Sequence, residues 1–498
     1  MVGFISGPTH QKGAAQAQAE AHHFAKVTWY KSPSLRKLYA YCMVVCLASA
    51  TTGYDGSMLN GLQILPVWEN YFNHPTGSIL GLFGSIYSIG CLATLQGAST
   101  SFGMFVGARF LVGFGNTITQ LSSPLLLTEI CHPQHRSRVT AVYNCLWNLG
   151  AVVATWLTFG TFHIGSNWAW RIPSIVQAMP SVLQLCFLYW VPESPRWLMA
   201  KGKNEEALQM LAKHHADGNE LDETVIFEYA EIKETIRLES EARHSSSYLD
   251  FFRTKGNRYR FFLLITLGLF SQWSGSGLVS YYFSKVMDSI GITDSTTQFV
   301  INGMLTIWSL LVSVSCASLV DRLGRRPLFL AATGGMLLMF TLWTICTAQY
   351  DLHGNKAAGS AVVAFIFLYS TCYAFAWNGL LTAYTVEILP YSIRAKGLML
   401  VNFFVQVALV VNQYANPVGL EKLHPQYTFY VIYCCWLLFE LVIVYFFYVE
   451  TKGPTLEEVA KIFDGQDANV GVADVSEIKA DLPEGAAAVH IEEILSKE

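Results

Sequence analysis

The sequence predicts an all-α protein that crosses a membrane many times, and three observations carry that expectation. Uncharged apolar stretches recur along the 498-residue chain, each close to the roughly 20 residues a helix needs to span a bilayer. Only 14% of the residues are charged and 52% are hydrophobic, whereas an ordinary soluble domain is about 25% charged. Finally, Asp321-Arg322-Leu323-Gly324-Arg325-Arg326-Pro327 places three arginines between apolar segments at about 298–320 and 327–347. A turn so charged cannot lie in hydrocarbon. It marks a membrane surface, and by the positive-inside bias the cytoplasmic one.

Composition narrows the function. The net charge is −4 and the basic residues fall in loops, so nucleic acid, which needs a basic face, is not an expected partner. Of the 11 cysteines most lie in apolar stretches, among them Cys42, Cys46, Cys316, Cys434 and Cys435. None has metal-ligand spacing, and they are read as packing residues. No nucleophile–base set, metal cluster or phosphate loop is visible, so neither an enzyme nor a cofactor is expected.

Residues 1–34 hold no apolar signal core and are expected to be a disordered cytoplasmic tail. An N-terminal transmembrane bundle follows over 35–191, with spans at about 38–58, 78–98, 104–127, 139–161 and 172–191. Loop 59–77 has no Lys or Arg and is expected outside. A polar linker, 192–259, shows helical patterning in 204–216 and 220–241, and its Lys and Arg place it inside. The C-terminal bundle, 260–449, gives spans at about 260–283, 298–320, 327–347, 360–386, 397–416 and 427–448. The polar tail, 450–498, ends acidic and is expected to be cytoplasmic and disordered.

Five spans and six make eleven, which would put the termini on opposite sides. The charges oppose this, because loop 128–138 carries Arg136 and Arg138 while loops 99–103 and 162–170 carry no Lys or Arg. Segment 78–98 would have to begin and end outside. One reading is a deletion near 91–97 that joins the start of one helix to the end of the next, removing about a hairpin's worth of chain, roughly 30 residues. The other is a genuine re-entrant element.

Several motifs name a family. Val191-Pro192-Glu193-Ser194-Pro195-Arg196-Trp197-Leu198 closes the first bundle. Glu387-Ile388-Leu389-Pro390, Arg394-Ala395-Lys396-Gly397 and Val449-Glu450-Thr451-Lys452-Gly453 punctuate the second, and Arg109 with Gly113 and Gly115 marks the first. With the Asp321–Pro327 loop, these resemble the sugar porter branch of the major facilitator superfamily over about 35–460. The resemblance implies two pseudo-related six-helix bundles, here with the N-terminal one apparently missing one hairpin's worth, and alternating access to a sugar site between them. The arginine-rich loop occurs twice in the family and once here.

The same resemblance assigns roles. Glu129, Arg136, Arg138, Asp321, Arg325, Arg326, Glu387 and Arg394 fall at cytoplasmic helix ends, where acid–arginine pairs can gate the inside by joining the halves. Asp55 and Arg109 lie within apolar spans, where charge is costly and usually functional. Proton-coupled sugar porters have an acid at the Asp55 position, so Asp55 is expected to be the proton site and Arg109 its switch. Substrate-binding candidates are Asn144, Gln272, Tyr282, Asn302, Trp377, Asn402 and Gln406. Ser271, Gly277 and Ser309 stand where the family has larger amides, which would widen the cavity. The run from Gln272 to Tyr282 looks like the fungal lactose-permease type. The expected activity is therefore proton symport of a disaccharide (lactose or cellobiose type) or a hexose, in a lipid bilayer, which the resemblance implies is the plasma membrane with both termini cytoplasmic. A non-transporting sugar sensor and a transport-defective, mis-spliced product are the alternatives.

Overall fold

The computed structural model describes residues 27, 29–71, 102–245, 247–377, 379–423, 425–451 and 463–464, though not every side chain within them. Every regular element among the described residues is helical. Helix α1, Pro33–Leu62, starts where proline suits the first turn and Ser32 Oγ accepts from the Leu35 N–H at 3.3 Å. It runs past the boundary near 58 that hydropathy placed, because Asn60 and Gln63 find partners on the other half. A short helix, α2 (Pro66–Tyr71), follows, so the segment read as loop 59–77 begins with helix. The segment 78–98, the suspected junction near 91–97 and the span count that depends on them lie outside the described residues.

Helix α3 (Phe102–Ile130) and helix α4 (Arg136–Phe162) complete the large elements of the first half. Gly53 of α1 lies against the Trp147 carbonyl and Gly150 of α4 against the Ala50 carbonyl, so a Cβ at either would collide with backbone. This small-residue contact lets α1 and α4 approach as membrane helices do when lipid supplies no hydrophobic drive. The span expected at 172–191 is two pieces, α5 (Trp168–Val176) and α6 (Met179–Leu188). The linker then folds as α7 (Pro195–Ala200), α8 (Asn204–His215), α9 (Glu223–Ser245) and α10 (Asp250–Arg253).

The second half begins with α11 (Lys255–Trp273), capped by Thr254. The helix breaks at Ser274–Gly275, where Gly275 takes a left-handed φ of 103°, then resumes as α12 (Ser276–Tyr281) and α13 (Phe283–Ser289). Hydropathy alone read this as one span. Helices α14 (Ser295–Leu323) and α15 (Arg325–His353) meet at Gly324, φ 89°. Helix α16 (Lys356–Ala376) gives way at Trp377 to α17 (Leu381–Ile388), and α18 (Tyr391–Lys422) and α19 (Tyr427–Phe447) close the bundle. Among the described residues six helices are long and apolar enough to cross a membrane, from Val142–Phe162 in the first half to Tyr427–Phe447. The core of the second half is aromatic: Phe340, Trp343, Tyr369 and Tyr430 are all essentially unexposed and pack edge to face or tilted.

Candidate functional site

The two halves meet at the end of the bundles away from the linker helices. Asn60 of α1 donates to Asn302 Oδ1 of α14 at 3.4 Å and accepts from the Phe283 N–H at 3.1 Å. Gln63 Nε2 donates to the Tyr281 carbonyl at 2.9 Å, one of the carbonyls exposed where α12 ends. Glu69 of α2 faces Lys285 of α13 at 3.7 Å. Asn302 and Tyr282, both expected to bind substrate, therefore sit in this seam. Tyr282 is buried and its hydroxyl donates to the Gln413 carbonyl at 2.5 Å.

From that seam, polar side chains continue on α4 and α18 toward the linker end. On α4, Asn148 is buried and donates to Ser313 Oγ at 3.1 Å, whereas Asn144, one turn nearer the linker on the same face, is exposed. On α18 the stripe Asn402, Gln406, Gln413 runs from exposed through half-buried to buried in the same direction. Polar side chains facing the interior of both halves thus become more accessible toward the linker.

An amide ladder lines the second half. Asn412 Nδ2 donates to the Gln272 carbonyl at 2.8 Å, Asn416 Nδ2 donates to Asn412 Oδ1 at 2.8 Å, and the Tyr433 hydroxyl donates to both amide oxygens. Gln272 itself is half-buried, its amide 3.4 Å from Ser271 Oγ. Gly277 lies against the Asn412 amide, so a larger residue there would displace the ladder. Trp377, expected to cover a sugar, is 2% exposed, with Nε1 donating to Thr333 Oγ1 at 3.2 Å and its ring against Phe270 and Phe329. Its ring is enclosed in the second half.

Asp55 lies on α1 and is 2% exposed. Thr52, three residues before it, donates to Asn116 Oδ1 of α3 at 2.8 Å. Position 109 falls two turns from Asn116 on the same stripe of α3. The Arg109 side chain lies outside the described residues.

The charged residues read as a gate pair largely within each half. Arg325 makes a forked contact with Glu387, Nη2 to Oε1 at 2.9 Å, and Thr451 donates to the same carboxylate. Glu450 accepts from the Arg325 and Arg326 N–H groups at 2.9 and 3.1 Å, an acid at the N-terminus of α15. The Arg326 guanidinium reaches the Tyr445 carbonyl and that of Arg394 the Leu389 carbonyl. In the first half Ser194 donates to Glu129 at 2.5 Å. These contacts tie helix ends of one bundle together, where the sequence had suggested pairs between bundles. The side chains of Arg138 and Asp321 lie outside the described residues.

Sequence reasoning missed Asn60 and Gln63, because the hydropathy window closed before them. It also passed over Asn416, Gln413 and Glu440. Each is a polar residue inside an apolar run, and that alone was the available signal.

Helices long and apolar enough to cross a membrane, arranged in two halves that meet through buried amides, fit a membrane transporter. A family model described as "Sugar (and other) transporter" matches residues 79–463, and the chain belongs to that family, the sugar porters of the major facilitator superfamily. It is 30% identical over 437 residues to an MFS-type transporter, oryC, of Aspergillus oryzae, covering 86% of this chain and 79% of the relative. It is 25% identical to a quinate permease of Neurospora terricola (86% and 89% covered) and 24% identical to a high-affinity glucose transporter of Kluyveromyces lactis (88% and 87%). Among solved structures, the proton:xylose symporter XylE bound to 6-bromo-6-deoxy-D-glucose superposes with a TM-score of 0.66 at 21% identity, covering 86% of this chain and 99% of that one. An inward-open form of XylE from E. coli gives 0.66 at 19%, covering 86% and 100%. At these identities the structural likeness speaks to the fold.

Proposed function

We propose that the chain is a proton-coupled sugar symporter that works by alternating access, with Asp55 as the proton site and Arg109 as its switch. The observation that carries this is the burial of Asp55 in α1, within a stretch from residue 38 to 68 that holds no other charge. An acid there is expensive unless its charge is used, and amides and hydroxyls are the groups that bind a polyhydroxylated ring. In this reading Asn144, Gln272, Tyr282, Asn302, Asn402 and Gln406 face the solute at different stages, and Trp377 supports the wall behind Gln272. The gate at the linker end consists of Glu129, Arg138, Asp321, Arg325, Arg326, Glu387 and Arg394, whose acids and arginines pair when the two bundles approach there.

The substrate is a disaccharide of the lactose or cellobiose type, or a hexose; relatives are named for quinate and glucose and a structural neighbour for xylose, all polyhydroxylated rings. The shorter side chain at Ser309, where the family has an asparagine, favours the larger solute. The protein resides in the plasma membrane with both termini and the linker in the cytoplasm, so the structure corresponds to a chamber shut outside and accessible from within. Uptake of labelled lactose, cellobiose, glucose and quinate in transporter-null cells, with and without a protonophore, tests it. Concentrative uptake of one sugar that the protonophore collapses is expected. Uptake that merely equilibrates, or none for any sugar, overturns the symport reading.

A further inference from the structure

Glu440 lies near the middle of α19, inside an apolar run, and is 0% exposed. Neither carboxyl oxygen has a hydrogen-bond partner. Among the described residues no lysine, arginine or histidine acts on it. The ionisable groups within its electrostatic reach are Tyr369 and Tyr373 of α16 and Tyr448 just beyond α19. Beside it on α19, Trp436 packs against Phe270 and Trp273 of α11. An ionised carboxylate without donor or cation in hydrocarbon is a severe cost, so this packing accommodates the neutral acid.

The tyrosines connect this acid to the break in the second half. Tyr373 donates to the Ser271 carbonyl and Tyr369 to the Ser274 carbonyl, both at 2.8 Å. Both carbonyls belong to the turn just before Gly275, where the intrahelical ladder is interrupted. If α11 and α12 join into a continuous helix, backbone N–H groups take up these carbonyls and two hydroxyls lose their acceptors. Two released donors beside Glu440 are what its anion lacks.

We propose that Glu440 is a second proton-carrying carboxylate, holding its proton while the helix is broken at Gly275 and releasing it when the helix straightens and Tyr369 and Tyr373 turn to it. The O–H bond of the acid breaks, its electron pair stays on the carboxylate, and the proton passes to water admitted through the substrate chamber. The idea rests on the symport reading, adding a site in the half that Asp55 does not occupy.

The test uses the full chain in proteoliposomes. Glu440→Gln keeps the neutral shape of the acid, so sugar–sugar exchange is expected to stay within about twofold of wild type while concentrative uptake falls about tenfold or more. Wild-type accumulation in Glu440→Gln would make Glu440 a packing residue and overturn the proposal, as would loss of exchange together with accumulation in a correctly inserted variant. Should the variant fail to insert, dicyclohexylcarbodiimide decides on the wild-type protein. It adds to protonated carboxyls in apolar surroundings, and an N-acylurea on the peptide carrying Glu440 is expected; its absence overturns the proposal. Were wild-type uptake indifferent to a protonophore, the symport reading would fall, while labelling would still report whether Glu440 is held as the acid.

Discussion

The two halves solve the same membrane problem with different materials. In the first, α1 runs unbroken for 30 residues and presses on α4 through glycines that meet backbone. In the second, α11–α12 and α16–α17 are interrupted, and aromatic rings fill the spaces between helices. Backbone-to-backbone contact gives a stiff unit with little freedom to repack. Broken helices packed by rings leave carbonyls to be satisfied by side chains such as Tyr369 and Tyr373, and such bonds can be exchanged. The comparison assigns the moving parts of transport to the second half and the fixed reference to the first.

The largest effect expected from this division falls on Asp55. Asp55→Asn keeps the shape of α1 and removes the titratable group, so accumulation against a gradient should fall about tenfold or more while exchange persists. Concentrative uptake surviving in this variant, measured in vesicles with an imposed pH gradient, would move coupling out of the first half. Next is Gly150→Ala, for which the Ala50 carbonyl leaves no space. Overpacking usually costs about 1–3 kcal/mol, and more where backbone must shift. Loss of folded protein on size-exclusion chromatography is expected. The equivalent insult in the second half, Gly335→Ala, meets the flexible end of Cys372 and should be tolerated. Equal damage from both would erase the contrast in stiffness.

A smaller effect follows for the amide ladder. Asn412→Ala removes the donor to the Gln272 carbonyl and leaves Asn416 and Tyr433 short of a partner. At about 1–3 kcal/mol for an unmet buried group, KM should rise on the order of tenfold with expression retained. An unchanged KM would place the solute away from α18.

Much of the architecture was legible in the residues. The Asp321–Pro327 turn, the uncharged spans and the motif order pointed to the all-helical fold and the family before any coordinate. What hydropathy could not show was where a span breaks, because Ser274–Gly275 is no more polar than its neighbours Gln272 and Ser276. A break depends on a left-handed glycine and on distant tyrosines that cover the freed carbonyls, neither of which is a local property. Asp55 was readable because a charge in an apolar run stands out. Asn60 was not, because its partners, Asn302 and Phe283, are more than two hundred residues away. Glu129 and Glu387 were readable as residues but not as pairs, since which helix end faces which is decided by packing.

The linker gives the smallest and most easily graded effect. His215 is buried where α8 meets α9 and α3, with Nδ1 2.5 Å from Glu228 Oε2 and Nε2 3.1 Å from the Ile130 carbonyl. Burial alone would lower its pKa, but the bond and charge of Glu228 outweigh this and raise it above the ordinary histidine value. His132, whose ring lies 5.3 Å from that of His215, is pulled down to about 4, first by burial and then by the charges of His215 and His135; His214 is likewise brought to about 4 by burial and Lys213. Tyr39 holds His135 at 2.6 Å, and Asp222 and Arg136 also act on His132. The signs oppose one another. His215 stabilises docking fully below about pH 6.5, a contribution lost as pH rises through its raised value. His132 and His214 stabilise it above about 6.5 and lose that contribution as pH falls toward 4, on the order of 1 kcal/mol each per unit. Docking of the linker on the first bundle should therefore be tightest near pH 6.5 and loosen on both sides. Hydrogen exchange in α8, corrected for intrinsic rates, should show maximal protection there, and Glu228→Gln should abolish the alkaline limb while sparing the acid one. Flat protection from pH 5.5 to 8 would mean that the linker is held by its apolar contacts with α1 and α3 alone, and the stiffness of the first half would then extend into the linker.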